Sequence, residues 1–296
     1  MAQTCGLTVP ETFLPVCSGD GTSDPSSSYM FPCVVKPAAK FEMRNGRFCS
    51  NFGFYAVYQT KALRCRDTRE LVRKIDDVRK AGFTAIFQEE IPGPTSNLWA
   101  IDFYCSRDSV ILGYHTGRKI RQYPSDFGTC TFGRSEKREE LYSLCATLTK
   151  AIGFHGIGNI EFKERDGKLY FLEINPRAWQ WLQMACASGV NLPFVAYSDM
   201  IGARGSTPHM ELRKPVFWVD LRRDTKHIRW RDRRVLGTGE LSFLRWLNSV
   251  RHARVEAMSS LLDPLPLLVI VLRKFLRVAL SKIRIGAGGD SPVARY

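Results

Sequence analysis

The stretch that decides the fold is Gly156–Arg177, with the sequence GIGNIEFKERDGKLYFLEINPR. Two runs in which apolar and polar residues alternate flank the dipeptide Asp166-Gly167, which is a strong signal for a two-residue hairpin turn. Because successive side chains of a strand point to opposite faces, the alternation predicts a β-hairpin with one apolar and one polar face.

The polar face of this hairpin is predicted from a register centred on Gly167. In that register Glu161 lies opposite Glu173, and Asn159 lies opposite Asn175. A register shifted by two residues would keep the same residues on each face but would make these pairs diagonal neighbours. The residues expected on the apolar face are Ile160, Phe162, Tyr170, Leu172 and Ile174.

Two carboxylates that face each other across a hairpin destabilise it, and a divalent cation would remove that repulsion. Mg²⁺ or Mn²⁺ suits such a site, because both bind oxygen ligands and Mg²⁺ keeps waters and substrate phosphates in its shell. We therefore predict metal ligands at Glu161, Glu173 and the side-chain carbonyl of Asn175. Arg177, just beyond the strand, could bind an anionic oxygen at the same place. For Glu161 alone, a merely solvated polar face is the simpler interpretation.

Length and composition indicate a globular chain of about two domains. The chain has 296 residues, of which 44% are hydrophobic and 24% are charged. The first residues lack the basic start and apolar stretch of a signal peptide, and no run of about 18 apolar residues is present. Nine cysteines without a CxxC pair favour free thiols in a reducing compartment, so we expect a cytoplasmic protein.

The positive charge is concentrated in the last third of the chain. The net charge is +14, and residues 201–296 hold 19 Lys and Arg against 8 Asp and Glu. A final basic and apolar helix is predicted over Leu267–Ile285. It could lie on an anionic membrane surface, which would make the protein membrane-peripheral, or it could pack on the core. No DNA- or RNA-binding motif accompanies the charge, so nucleic acid is not an expected partner.

Spacing of apolar residues places several other elements. Residues 68–81 have apolar side chains at helical spacing, with Thr68 as the predicted N-cap. A second helix is predicted over Ser135–Gly153, and strands over Leu98–Tyr104 and Val110–Tyr114.

Four stretches in the same order resemble the ATP-grasp superfamily, and together they are far more specific than any one of them. Glu173-x-Asn175-Pro176-Arg177, with an acid twelve positions upstream, resembles that family's metal-binding hairpin. The stretch 31–37 (FPCVVKP) resembles the strand whose Lys holds ATP phosphate, and 88–93 (QEEIPG) resembles the hinge beside adenine. The basic stretch 117–124 (GRKIRQYP) is similar to a strand of D-aspartate ligase-like carboxylate–amine ligases.

This resemblance implies an α+β ATP-grasp fold, with two α+β subdomains whose antiparallel sheets hold ATP between them, and a basic helical extension at the C-terminus. The implied boundaries are a link over 1–30 that is the remnant of a pre-ATP-grasp region, a small subdomain over 31–93, a large subdomain over 94–215 and the extension over 216–296. The family's domain before the grasp is not expected in this chain, so the chain would be either a truncated or misstarted product or one that needs a partner chain to supply that domain.

The resemblance also implies a function: an ATP- and Mg²⁺-dependent ligase that activates a carboxylate as an acylphosphate for attack by an amine. Lys36 would hold phosphates, while Gln88, Glu89 and Ile91 would line adenine. Arg177 would steady the acylphosphate or the acceptor carboxylate, and Lys119 or Arg121 would reach the γ-phosphate or the substrate. The alternative is a non-catalytic ATP-grasp relative that binds nucleotide or an anionic membrane surface.

Overall fold

A computed structural model describes residues 2–13, 30–38, 41–44, 47–50, 52–203, 215–228 and 241–258, and a few residues between 263 and 273. For residues 41–44, 47–50 and 52 it describes the backbone only. Most of the helix predicted over Leu267–Ile285 lies outside the described residues. Within the described part of the chain, no helix is long and apolar enough to cross a membrane.

The described elements alternate between short strands and short helices. The strands are β1 Thr12–Phe13, β2 Cys33–Pro37, β3 Phe41–Arg44, β4 Arg47–Ser50, β5 Leu63–Cys65, β6 Ala85–Glu89, β7 Leu98–Cys105, β8 Ile111–Tyr123, β9 Thr129–Ser135, β10 Gly156–Arg165, β11 Lys168–Asn175, β12 Phe217–Val219 and β13 Ala253–Glu256. The α-helices are α1 Phe52–Tyr58, α2 Thr68–Lys80, α3 Glu140–Ala151, α4 Leu182–Ala187, α5 Leu192–Met200, α6 Leu221–Asp224 and α7 Phe243–Val250. Single 3-10 turns lie at Gln3–Cys5, Thr95–Asn97 and Thr225–His227.

The strands form two main sheets, as the α+β prediction requires. The smaller sheet has the order β1-β6-β2-β5, and its described pairings are antiparallel. The larger sheet has the order β11-β10-β7-β8-β9-β12-β13, and β3 and β4 form a separate ribbon. The stretch predicted as an N-terminal link contributes β1, and the predicted C-terminal extension contributes β12 and β13, so that extension is not purely helical.

Each main sheet has its own apolar core. Helix α2 packs on the smaller sheet through Leu71 and Val78, as its spacing predicts, whereas Val72 is exposed. Its N-cap is Asp67, not Thr68, because the Asp67 side chain accepts the Glu70 backbone N–H. On the larger sheet, α3 covers an apolar face built from β7, β10 and β11. The cysteines that the structure describes are free thiols.

The hairpin of β10 and β11 has the predicted pairs in its outer half. Asn159 pairs with Asn175 and Glu161 pairs with Glu173, and the Asp166-Gly167 turn has positive φ at both residues. Between that half and the turn the register shifts by one residue, because Leu172 is an extra residue in β11.

This bulge corrects the prediction for the apolar face. Leu169 and Phe171 join Ile160 and Phe162 in the core, as Ile174 does beyond the bulge. Tyr170 pairs instead with Lys163 on the polar face, where its hydroxyl accepts from the Arg165 guanidinium. The sequence predicts regular alternation along the whole of β11, whereas the bulge at Leu172 interrupts it.

Candidate active site

The polar face of the hairpin continues across the larger sheet as ordered rows of side chains. One row crosses four neighbouring strands and consists of Asn175 on β11, Asn159 on β10, Asp102 on β7 and His115 on β8. The next row places Glu173 beside Glu161, and Glu161 beside Ala100. The predicted oxygen ligands Glu161, Glu173 and Asn175 are therefore neighbours on one face.

Lys119 lies against this cluster, because its ammonium is 2.7 Å from the Glu161 carboxylate. Burial by itself would lower the pKa of Lys119, but the adjacent Glu161 outweighs burial, and the net pKa is raised. Lys119 therefore carries its charge beside Glu161. Lys119 thus supplies one positive charge beside the two carboxylates, in addition to any cation that they bind.

A buried hydrogen-bond network supports the cluster from behind. Asp102 is completely buried, and its carboxylate accepts from Asn159 Nδ2 at 2.6 Å and from Trp181 Nε1 at 3.1 Å. His115 Nδ1 lies 3.0 Å from the same carboxylate. Burial raises the pKa of Asp102, and these three hydrogen bonds oppose that rise. From Asn159, the network continues to Asn175 at 3.3 Å.

The sequence interpretation did not assign a role to Asp102 or His115. The signal that could have found Asp102 is a lone carboxylate in the otherwise apolar strand β7, LWAIDFYC. A buried carboxylate without partners is costly, so such a residue indicates a polar network.

The described contacts of Arg177 and Arg121, two basic residues predicted for the site, are with groups outside the carboxylate cluster. Arg177 is exposed, and its guanidinium donates to the carbonyl of Ala178 at 3.0 Å. Arg121 binds Asp224 through two hydrogen bonds of 3.0 and 2.5 Å. The suggestion that Arg121 reaches the γ-phosphate is therefore not supported by its position, because a buried carboxylate already holds it.

The smaller sheet and the segment after it bring together only some of the residues predicted to bind ATP. Lys36 donates to Gln88 at 2.8 Å, and Gln88 donates to the Thr12 hydroxyl at 2.7 Å. Glu89 is buried and paired with Arg165 of β10 at 2.6 Å. Ile91 is buried nearby in the chain. A role of Glu89 towards adenine would therefore come from its backbone, since its carboxylate is engaged.

Further contacts join the segment after β6 to the larger sheet. Lys163, on the same face of β10 as Glu161, donates to the carbonyls of Gly93 and Pro94 at 2.8 and 2.9 Å. Burial lowers the pKa of Lys163. Arg64 of β5 binds both carboxylate oxygens of Glu90 at 2.6 Å and also reaches Asp126 at 3.0 Å. The hydrogen bonds to Glu90 are the largest cause of the raised pKa of Arg64.

The donor set fits a hard divalent cation in its chemistry. It has two carboxylates and one amide oxygen on one sheet face, which is a set that substrate phosphates and waters can complete around Mg²⁺. Among the described residues no group of three or more His, Cys, Asp or Glu side chains is placed to hold a metal ion. The set has two carboxylates and one amide, so it does not form such a group.

One comparison with known proteins covers the hairpin of β10 and β11. A family model described as "ATP-grasp in the biosynthetic pathway with Ter operon" matches residues 121–221. The carbamoyl phosphate synthase large chain of Clostridium perfringens (strain SM101 / Type A) is 34% identical over 94 residues, which is 31% of this chain and 8% of that protein. The arginine-specific large chain of Geobacillus stearothermophilus is 30% identical over 118 residues, or 36% and 11% of the two chains.

A solved structure agrees at the level of the fold. The biotin carboxylase–beta-gamma-ATP complex from Campylobacter jejuni superposes with a TM-score of 0.50 and 13% identity, and the match covers 73% of this chain and 48% of that one. This chain thus spans about a tenth of the curated relatives that it matches and about half of that structure. Residues 121–221 thus match the ATP-grasp family model, and the two sheets and the hairpin agree with the fold that the sequence resemblance implies.

Proposed function

We propose that this chain is an ATP- and Mg²⁺-dependent ligase that converts a carboxylate into an acylphosphate, which an amine then attacks. The observation that carries the proposal is the arrangement of Glu161 opposite Glu173, with Asn175 in the next row and Lys119 at 2.7 Å from Glu161. Acidic and basic groups are thus placed together before any substrate arrives. Such placement is what phosphoryl transfer requires of a protein.

Each residue has a role that follows from its position. Mg²⁺, when bound by Glu161, Glu173 and Asn175, would neutralise charge on the transferring phosphoryl group. Lys119 keeps its proton and would hold an anionic oxygen beside Glu161. Lys36, on the small sheet, would hold phosphate oxygens.

Substrate recognition would fall to groups around that centre. Arg177, being exposed, has the planar fork that suits a carboxylate or an acylphosphate. Gln88, Ile91 and the backbone of Glu89 would line adenine. The partner chain and the membrane contact expected from sequence stay predictions.

The test is release of ADP by the full chain with ATP, Mg²⁺ and pools of small carboxylates and amino acids. Glu173→Ala should reduce turnover by at least about 100-fold, because a ligand of the cation is lost. Glu139→Ala is the control, since Glu139 is exposed and pairs with Lys137 ahead of α3. If wild type binds ATP but neither wild type nor Glu173→Ala releases ADP, the ligase proposal fails and the nucleotide-binding alternative stands.

A further inference from the structure

We infer that Asp102 is a positioning residue that sets which atom of the Asn175 amide faces the cation. The inference rests on the metal-binding part of the proposed function. The observation behind it is the row Asp102–Asn159–Asn175, in which each side chain is almost fully buried and hydrogen-bonded to the next. An amide has a donor end and an acceptor end, so a chain of amides has a direction.

The order of donors and acceptors along these hydrogen-bonded side chains is set at Asp102. The indole N–H of Trp181 is a donor only, and it points at Asp102 Oδ2 at 3.1 Å. The other oxygen, Oδ1, accepts from Asn159 Nδ2 at 2.6 Å. An ionised carboxylate can only accept, and both Trp181 and Asn159 donate to this one. Asp102 therefore holds the donor end of Asn159 towards itself.

That orientation passes to the cation site through Asn159. With Nδ2 turned to Asp102, Asn159 presents Oδ1 to the next strand, where Asn175 Nδ2 donates to it at 3.3 Å. Asn175 Nδ2 also donates to Glu173 Oε1 at 2.9 Å. Both donor hydrogens of Asn175 are thus directed at Asn159 and Glu173. The carbonyl oxygen, which is the atom a cation needs, takes the remaining side of the amide.

His115 and Trp181 also contact the Asp102 carboxylate. His115 is completely buried, and within the described part of the chain its Nε2 has no hydrogen-bond partner, so its polar contact is through Nδ1 to Asp102. Gly133 leaves room for Trp181, because a Cβ at residue 133 would lie 2.6 Å from the indole ring. The contacts from His115 and Trp181 thus restrict how the buried Asp102 carboxylate can turn.

The test replaces Asp102 by Asn and measures Mn²⁺ binding directly, by electron paramagnetic resonance titration of the full chain with ADP present. Asp102→Asn keeps the shape but can donate, so Asn159 and Asn175 can reverse and present Nδ2 to the cation. We expect Mn²⁺ affinity to fall about 10- to 100-fold, the range for ligand-orienting residues. The apparent constant for Mg²⁺ in turnover should rise in parallel, and kcat should recover at saturating Mg²⁺.

Two further variants separate orientation from general damage. Trp181→Phe removes one donor but leaves the Asp102 charge, so Mn²⁺ affinity should change less than about threefold. In an Asn175→Asp background both atoms at residue 175 are oxygens, so adding Asp102→Asn should weaken Mn²⁺ binding no further. If Asp102→Asn does not fold, Asn159→Ser, which cannot reach Asn175, should show the same loss.

The outcomes distinguish this inference from the proposed function. Wild type that binds Mn²⁺ with Asp102→Asn binding equally well overturns the role of Asp102 and leaves the ligase proposal standing. An equal loss in Trp181→Phe, or an undiminished loss in the Asn175→Asp background, also overturns it, because either result shows a structural effect. Wild type that binds no Mn²⁺ in the presence of ADP overturns both.

Discussion

Asp102 and Asp224 are both completely buried in the described structure, and they differ in where their hydrogen bonds lead. Each accepts an indole N–H, from Trp181 in one case and from Trp246 in the other. Asp102 continues through Asn159 to the cation cluster. Asp224 instead binds Arg121, which links α6 to β8. A buried carboxylate thus serves a site or holds the fold together according to what stands at the other end of its network.

The Asp224 network should give the largest effect on stability. Asp224→Asn removes the charge beside Arg121 and leaves a mostly buried guanidinium unpaired, which costs about 3 kcal/mol. Urea unfolding measures the loss. The matched control is Asp126→Asn, an exposed partner of Arg64, which should cost less than about 1 kcal/mol.

Asp224→Asn also tests the proposed difference between Asp102 and Asp224. Folded Asp224→Asn should bind Mn²⁺ as wild type does, because its network ends at Arg121 and not at the cluster. Weakened Mn²⁺ binding with unchanged stability would show that the two aspartates do not differ in the way the hydrogen bonds indicate.

A smaller effect on stability is expected at Gly133, which packs against Trp181 of the Asp102 network. Gly133→Ala places a Cβ 2.6 Å from the Trp181 ring, which must move and loosen its hydrogen bond to Asp102. Thermal or urea unfolding should show a loss of about 1–3 kcal/mol. Gly53→Ala is the control, since its Cβ meets Phe83 at an ordinary 3.4 Å inside α1, where Ala should be neutral or stabilising. Equal losses in both would remove the packing argument.

The smallest effect concerns an ion pair on the opposite face of the hairpin. Arg138 and then Trp99 donate to Glu164, which lowers the pKa of Glu164 below its ordinary value of 4.5. A carboxyl with a lowered folded pKa stabilises the protein above the unfolded pKa and loses that contribution as pH falls through the folded pKa. Glu164→Gln should therefore cost about 1 kcal/mol at pH 7 and nothing at low pH. A difference in stability between wild type and Glu164→Gln that persists at pH 2 would contradict the role given to the ionised Glu164 carboxylate.

The features predicted correctly from sequence are those set by short-range periodicity. The Asp166-Gly167 turn and the alternation on each side gave the pairs Glu161–Glu173 and Asn159–Asn175. Helix α2 followed from the spacing of its apolar residues. In each case the relevant partners are close in the chain, so local rules are sufficient.

The features that sequence did not predict depend on partners that are distant in the chain. Lys119 meets Glu161 although β7 lies between their strands, and Asp102 meets Trp181 across 79 positions. The pairing of the Glu89 carboxylate with Arg165 likewise depends on the contact between the two sheets, which sequence did not predict. The roles of the predicted site residues stay predictions.

The extra residue Leu172 determines how this hairpin would respond to changes in its length. Leu169 and Phe171 point into the core while Glu173 and Asn175 point to the opposite face, although all four have odd numbers. Loss of Leu172 would remove the bulge and leave both faces as they are. Gain of a further residue there would also keep the faces if the strand became regular, but it would move Glu173 from opposite Glu161 to opposite Asn159. At this point the chain is therefore more tolerant of a one-residue deletion than of a one-residue insertion.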